Sequence, residues 1–215
     1  MKEHSLILQG WGVRSSLDGR KTMTRRIPGI MNSTVDGSRV SSKRWANLDF
    51  SKAWIDPGGS IFGRGPYLKV PTFDGETTHR VRCLYEPGDV LWVRETWQSV
   101  VSRDDLPARP LYVREPTAEG ARILYKEKHD DGLTEQGFPW RPSIHMPRWA
   151  CRLLLTVTDV RVERVQDMPE EDARAEGVAD HVLWDSINAK RGYSWESNPW
   201  VWVVSFAKRE GADTR

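Results

Sequence analysis

The stretch VRCLYEPGDVLWVRETW, from Val81 to Trp97, does most to limit what this chain can fold into. Two runs rich in Val, Leu, Trp and Tyr flank Pro87-Gly88-Asp89, where proline presets one backbone torsion and glycine accepts a positive one. The stretch therefore reads as strand, turn, strand. In the second strand Leu91, Val93 and Glu95 share one face, while Trp92 and Arg94 share the other. If Leu91 and Val93 enter a core, Glu95 sits at the end of the same face, at the mouth of that core.

Other segments repeat this β character. SLIL, Ser5 to Leu8, reads as a short buried strand, and WGVRSSLDG from Trp11 as a short helix with Val13 and Leu17 on one face and Gly19 as its stop. KTMTRRI, Lys21 to Ile27, is extended up to Pro28. ARILY, Ala121 to Tyr125, is a short strand between polar connections at 99–120 and 126–144. RWACRLLLTVTDVRVERV, Arg148 to Val165, is one bent strand or two paired ones, and WVWVVSF, Trp200 to Phe206, is a closing strand. Two helices interrupt the pattern: DMPEEDARAEGV, with Asp167 as cap, acidic residues in its first turn and Gly177 past its end, and VLWDSIN, Val182 to Asn188. Strand after strand with few short helices predicts an α+β chain built as a small β-barrel with helices packed outside. We expect a single domain over 1–215, carrying an irregular insertion at about 29–80. That insertion is rich in Gly, Ser, Pro and Asp, and Trp45, Trp54, Phe62 and Tyr67 are scattered through it without periodicity.

Composition excludes several classes. With 32 Lys and Arg against 30 Asp and Glu, the net charge is +2, so any nucleic-acid-binding surface must be local. No Gly-rich phosphate fingerprint is present, which argues against a nucleotide-dependent kinase or dehydrogenase. Cys83 and Cys151 lack metal-ligand or disulfide-framework spacing, so no metal and no cofactor is expected, and the setting expected is reducing and cytoplasmic. No run approaches membrane-spanning length, and the start of the chain has no signal-like apolar region. The 11 Trp are the anomaly: most are expected in core and rim packing, a few as stacking surfaces for bases.

Four pieces of the chain resemble the ASCH family. GRKTMTRR, Gly19 to Arg26, looks like its G-x-K-x-x-x-x-R signature, PGDVLWV from Pro87 like its turn and strand, and VWVVSF from Val201 like its closing strand. With WRPSIHMPRWA, Trp140 to Ala150, the chain is similar to the longer ASCH proteins of bacteriophages and prophages. The resemblance implies a PUA-like β-barrel. That fold serves RNA-binding modules, modified-base readers and the N4-acetylcytidine amidohydrolases. In those enzymes a lysine accepts a proton, a threonine three residues later is the nucleophile and a helix glutamate donates a proton. The matching positions are Lys21, Thr24 and, at the end of ARAEG, Glu176.

Amide hydrolysis needs an activated hydroxyl, a donor for the leaving amine and a stabiliser of the oxyanion. Lys21 serves as a base only if burial or its neighbours Arg20, Arg25 and Arg26 lower its pKa. Residues 21 and 24 of a regular strand face opposite ways, so their convergence demands a bulge or turn. Glu176 falls in the last turn of its helix, where the macrodipole favours the protonated acid. Arg26, Glu95, His145, Arg148 and Trp149 are the substrate-binding candidates: Arg26 completes the family signature, Glu95 is a second carboxylate, and the last three lie on a Pro-bounded loop suited to stacking and hydrogen bonding. Plainer roles stay open for each, as solvated cations, strand packing or a cover over the barrel core. Three functions follow as expectations. The first is deacylation of a modified cytidine. The second is an RNA-binding or RNA-cleaving module that grips phosphate with residues 20–26 and stacks bases on Trp. The third is a phage accessory protein whose 29–80 insertion binds a host protein.

Overall fold

The computed structural model of the chain describes residues 1–29, 32–39, 41–55, 67–101, 121–129, 140–176 and 181–209. In order, its strands and helices are β1 Glu3–Ile7, α1 Gly10–Leu17, β2 Met23–Arg26, β3 Ser33–Val35, α2 Ser42–Ala46, β4 Trp54–Ile55, β5 Tyr67–Pro71, β6 Thr78–Cys83, β7 Val90–Arg94, β8 Trp97–Val101, β9 Ala121–Tyr125, α3 Lys126–His129, β10 Leu154–Arg164, α4 Glu170–Glu176, α5 His181–Asn188 and β11 Trp200–Lys208. The class is α+β, mostly sheet with short helices. Among the described residues no helix is long and apolar enough to cross a membrane. The expected helix stop at Gly177, and much of the connections expected at 99–120 and 126–144, lie outside the described residues.

The chain divides into two compact units. The first comprises Met1–Lys2, Arg20–Asp89 and Thr156–Ala207; the second comprises Glu3–Gly19, Val90–Leu155 and Lys208–Arg215.

In the first unit β10, β11 and β2 lie side by side in that order. β2 runs antiparallel to β11, with Thr24 opposite Val204, Arg25 opposite Val203 and Arg26 opposite Trp202. Val165, Trp184, Val201 and Val203 form a buried cluster, with Met23, Ile27 and Trp195 against it. The Trp184 indole N–H donates to the Tyr193 carbonyl at 2.9 Å, which satisfies the one polar atom that this ring brings into the core.

The same unit holds a second sheet of four strands, in the order β3-β6-β5-β4. The described parts of the stretch expected as an irregular insertion at 29–80 carry β3, β4, β5 and the start of β6, and residues 30, 31, 40 and 56–66 lie outside the described residues. The sheet's strands are short; Gly75, at φ 76°, turns β5 into β6, and Asp36 and Gly37, at φ 49° and 82°, turn the chain after β3. Gly and Pro punctuation hides the period of two that these short strands follow. Val35, Leu68, Val70 and Val81 are fully buried on one face, whereas Lys69, Arg80 and Arg82 alternate with them on the other. The indole N–H of Trp202 on β11, itself fully buried, donates to Ser33 Oγ at 2.9 Å and so ties this sheet to the first.

The strands on either side of Pro87-Gly88-Asp89 do not pair with each other. β6 pairs with β3 and β5, whereas β7 runs parallel to β1, with Leu6 opposite Val93. The turn has the expected geometry: the Asp89 N–H donates to the Glu86 carbonyl at 3.0 Å, and Gly88 has φ 91°. Its next hydrogen bonds go to β10, from Gly88 N to Val157 O and from Val157 N to Asp89 O, so no hairpin ladder forms.

In the second unit α1 ends with Asp18 as its cap and Gly19 beyond it at φ 73°, where the sequence put the stop. β8 and β9 form an antiparallel pair. Trp97, Tyr125, Met146 and Ala150 make its buried cluster, and the Tyr125 hydroxyl donates to the Ala150 carbonyl at 3.0 Å. Arg148 to Val165 resolves into a 3-10 turn at Arg148–Ala150 followed by the single strand β10. Back in the first unit, Asp167 does not cap α4. It ends a 3-10 turn, and the carbonyl of Pro169, the residue just before the helix, accepts the first helical bond from Ala173 N at 3.1 Å.

Trp202→Ala is expected to cost about 3–5 kcal/mol, because a fully buried indole is lost. Ser33→Ala, which strands the indole N–H, is expected to cost about 1–3 kcal/mol. Urea denaturation of both variants measures the order of these effects.

Candidate active site

The candidate residues of the first unit gather where the start of β2 meets the end of α4. An α-helix leaves its last carbonyls without intrahelical donors, and cations are favoured there. In this chain two of those carbonyls are bonded by the segment that enters β2: Thr22 N donates to Ala175 O at 3.0 Å, and Lys21 Nζ donates to Glu176 O at 2.6 Å. Thr22 O in turn accepts from Phe206 N at 2.8 Å, so β11, β2 and α4 are joined through two consecutive residues.

Glu176 also closes the open edge of β2. Its Oε1 accepts the Arg25 backbone N–H at 2.6 Å, and its Oε2 accepts Arg25 Nη1 at 2.8 Å. The Arg25 side chain is fully buried and reaches two more carboxylates, Glu163 Oε1 from Nε at 2.8 Å and Asp172 Oδ2 from Nη2 at 2.7 Å. Asp172 and Glu176 stand four residues apart on α4, which puts both on one helix face. Arg161 on β10 completes the cluster by pairing with Glu163 and Asp172. Lys21, Arg25 and Arg161 thus balance Glu163, Asp172 and Glu176. Burial works against the charged form of Arg25, but hydrogen bonds and charge from Glu176 and Glu163 outweigh it and raise its pKa.

Lys21 is 4% exposed, and its Nζ lies 4.0 Å from Glu176 Oε1. Burial lowers its pKa to about 8; Arg26 and Arg25 act in the same direction, and the Glu176 charge opposes them. At neutral pH roughly a tenth of the molecules therefore carry this amine in its neutral, basic form. Lys21 lies ahead of β2 rather than within it, so strict strand alternation does not govern the pair with Thr24. Thr24 is buried, and within β2 it and Arg26 face away from Met23 and Arg25. Arg26 is half-buried; burial lowers its pKa, with Tyr85 and Glu176 opposing and Arg191 adding to the shift.

The other candidates belong to the second unit. Glu95 is 1% exposed on the Leu91 and Val93 face and forms a two-bond ion pair with Arg152, at 2.9 Å for each bond. The Arg152 guanidinium lies 4.3 Å from the Tyr125 ring centroid. Arg148 grips Glu3 through Nε and Nη2 at 2.8 and 3.0 Å, a contact that raises the arginine pKa and lowers that of the glutamate. Trp149 packs edge-on against Trp97 at 5.7 Å. His145 is exposed at the end of a 3-10 turn.

No protein-family model, curated protein or solved structure matches this chain.

Lys21 and Glu176 are brought into contact, and Arg25 stands between the strand and the helix. The sequence reading treated Arg25 only as a neighbouring charge and left out Glu163, Asp172 and Arg161. The spacing of Asp172 and Glu176 was a usable signal, since two acids on one face of a short helix invite a shared cation. Nothing in the sequence indicated that Arg25 would be that cation.

Arg25→Met is expected to destabilise the fold by about 3–5 kcal/mol, because it leaves buried carboxylates without their cation. Lys21→Met removes a cation whose charge burial already disfavours, and is expected to cost less. Chemical denaturation of the two variants at neutral pH checks the order.

Proposed function

We propose that the chain is a PUA-like protein of the ASCH kind, acting in the cytoplasm as an amidohydrolase that removes the acyl group from a modified cytidine resembling N4-acetylcytidine. The observation that carries the reading is Lys21: a buried amine with a pKa of about 8, held beside Glu176 by the end of α4. General bases work best when their pKa lies near the working pH, and an ordinary surface lysine does not.

In this reading neutral Lys21 takes the proton of the Thr24 hydroxyl as Thr24 Oγ1 attacks the acyl carbon. The tetrahedral intermediate collapses, the bond to the exocyclic nitrogen breaks, and the lysine ammonium returns its proton to the leaving amine. Water then cleaves the threonine ester through the same lysine, releasing the carboxylic acid and restoring the hydroxyl. The family resemblance makes Glu176 the proton donor. Here both its carboxylate oxygens accept from Arg25, which favours a positioning role: it fixes Lys21 against the strand. Arg26, on the Thr24 face of β2, is the cationic candidate for substrate or oxyanion.

The competing reading, phosphate gripped by residues 20–26, is weakened by the same geometry. Lys21 and Arg25 are buried and Arg25 is spent on carboxylates, which leaves exposed Arg20 and half-buried Arg26 as the cations of that stretch.

The test is release of cytidine from N4-acetylcytidine by purified protein. Lys21→Ala and Thr24→Val are expected to abolish turnover, whereas Glu176→Gln is expected to lower it and retain a measurable rate. The wild-type kcat/KM is expected to rise about tenfold per pH unit below pH 8 and to level off above it, since only the deprotonated lysine is active. Absence of wild-type turnover, or full activity of folded Lys21→Ala, would rule the reading out.

A further inference from the structure

The solvent-facing side of the β3-β6-β5-β4 sheet carries two rows of side chains set by its register. In one row Thr34, Arg82 and Tyr67 stand opposite one another across three strands; in the other Arg80, Lys69 and Trp54 do. Residues directly opposite in antiparallel pairs share a face, so all six project from the side away from buried Val35, Leu68, Val70 and Val81. Trp54 is 45% exposed and Arg80 is exposed, while Tyr67, Lys69 and Arg82 are half-buried. The Arg80 guanidinium lies 5.5 Å from the Tyr67 ring centroid, and Glu86 meets Arg82 at 3.5 Å at one end of the patch.

Two aromatic rings and three cations share one sheet face, and the Trp54 ring is nearly half exposed. The chemistry names a partner. An acidic peptide would use the cations and waste the π-faces. A single nucleic-acid strand offers both phosphate and stackable bases, and its recognition elsewhere combines sheet-face aromatics with basic side chains. With strands about 4.8 Å apart and alternate residues about 6.7 Å apart, the patch has room for roughly two bases.

We propose that this face binds single-stranded nucleic acid, with bases stacked on Trp54 and Tyr67 and phosphates held by Lys69, Arg80 and Arg82. The site lies wholly within the sheet of the first unit. It is separate from the Lys21 cluster and does not depend on the deacylase reading.

The experiment is fluorescence anisotropy with labelled short oligouridylate and its deoxy counterpart, titrated from low to roughly 200 mM salt. Wild type is expected to bind at least one of the two, with affinity falling as salt rises. The double variant K69E/R80E is expected to lose at least about tenfold in affinity and to flatten the log–log salt slope by about 1.4, for two phosphate contacts. Trp54→Ala is expected to lose about tenfold with the slope unchanged, because stacking is not ionic. The exposed, charge-matched pair R174E/K190E is the control and is expected to bind like wild type. The proposal is overturned if wild type binds neither probe at low salt, if Trp54→Ala and K69E/R80E bind as wild type does, or if the control loses as much as K69E/R80E. Hydrolysis of free N4-acetylcytidine by the face variants, measured alongside, keeps failure of this proposal distinct from failure of the deacylase reading.

Discussion

Arg25 is a guanidinium with no exposed side-chain surface, and the first unit is arranged to satisfy it. Taking such a charge out of water costs several kcal/mol, recovered only when partners stand in good geometry. Glu163 from β10 and Asp172 and Glu176 from α4 supply that geometry at 2.7–2.8 Å. A hydrophobic side chain of similar volume would avoid the desolvation cost but could not specify which helix end meets which strand edge. The ion cluster does: Glu176 bonds the Arg25 backbone as well as its side chain, which fixes the end of α4 along β2. Lys21 is then carried into the same buried corner, where its lowered pKa follows from the placement.

This arrangement separates two uses of positive charge that the sequence runs together. Between residues 20 and 26 the cations look like one basic stretch, yet Lys21 and Arg25 are enclosed and only partly available to any ligand. The cations suited to an extended polyanion lie on the β5 and β6 face, 40 to 60 residues further on. A net charge of +2 conceals both features, because each is local.

The sequence showed most clearly the elements whose apolar periodicity runs unbroken. The β11 run around Trp200, the α1 segment with its Gly19 stop and the α5 segment around Trp184 all fall close to where their patterns put them. It was least clear where punctuation outweighs pattern. β3, β4, β5 and β6 are two to six residues long, so the alternation of Leu68 and Val70 with Tyr67 and Lys69 is too brief to stand out. The pairing of β7 with β1 is a long-range choice that no local signal encodes. At the site, residue types were legible and partners were not. Glu95 was placed on its apolar face, but its neutralisation by Arg152, 57 positions away, depends on the fold.

The central claim is that Lys21 is held in a buried, charge-balanced corner that makes it a base near neutral pH. The most direct measurement is an NMR titration of 13C-labelled lysine, with the Lys21 Cε resonance assigned by its absence in Lys21→Met. A titration midpoint near 8 is the predicted result. A midpoint near the ordinary lysine value of 10.5 would contradict the account, because it would place the amine in a solvated site where it cannot act as described.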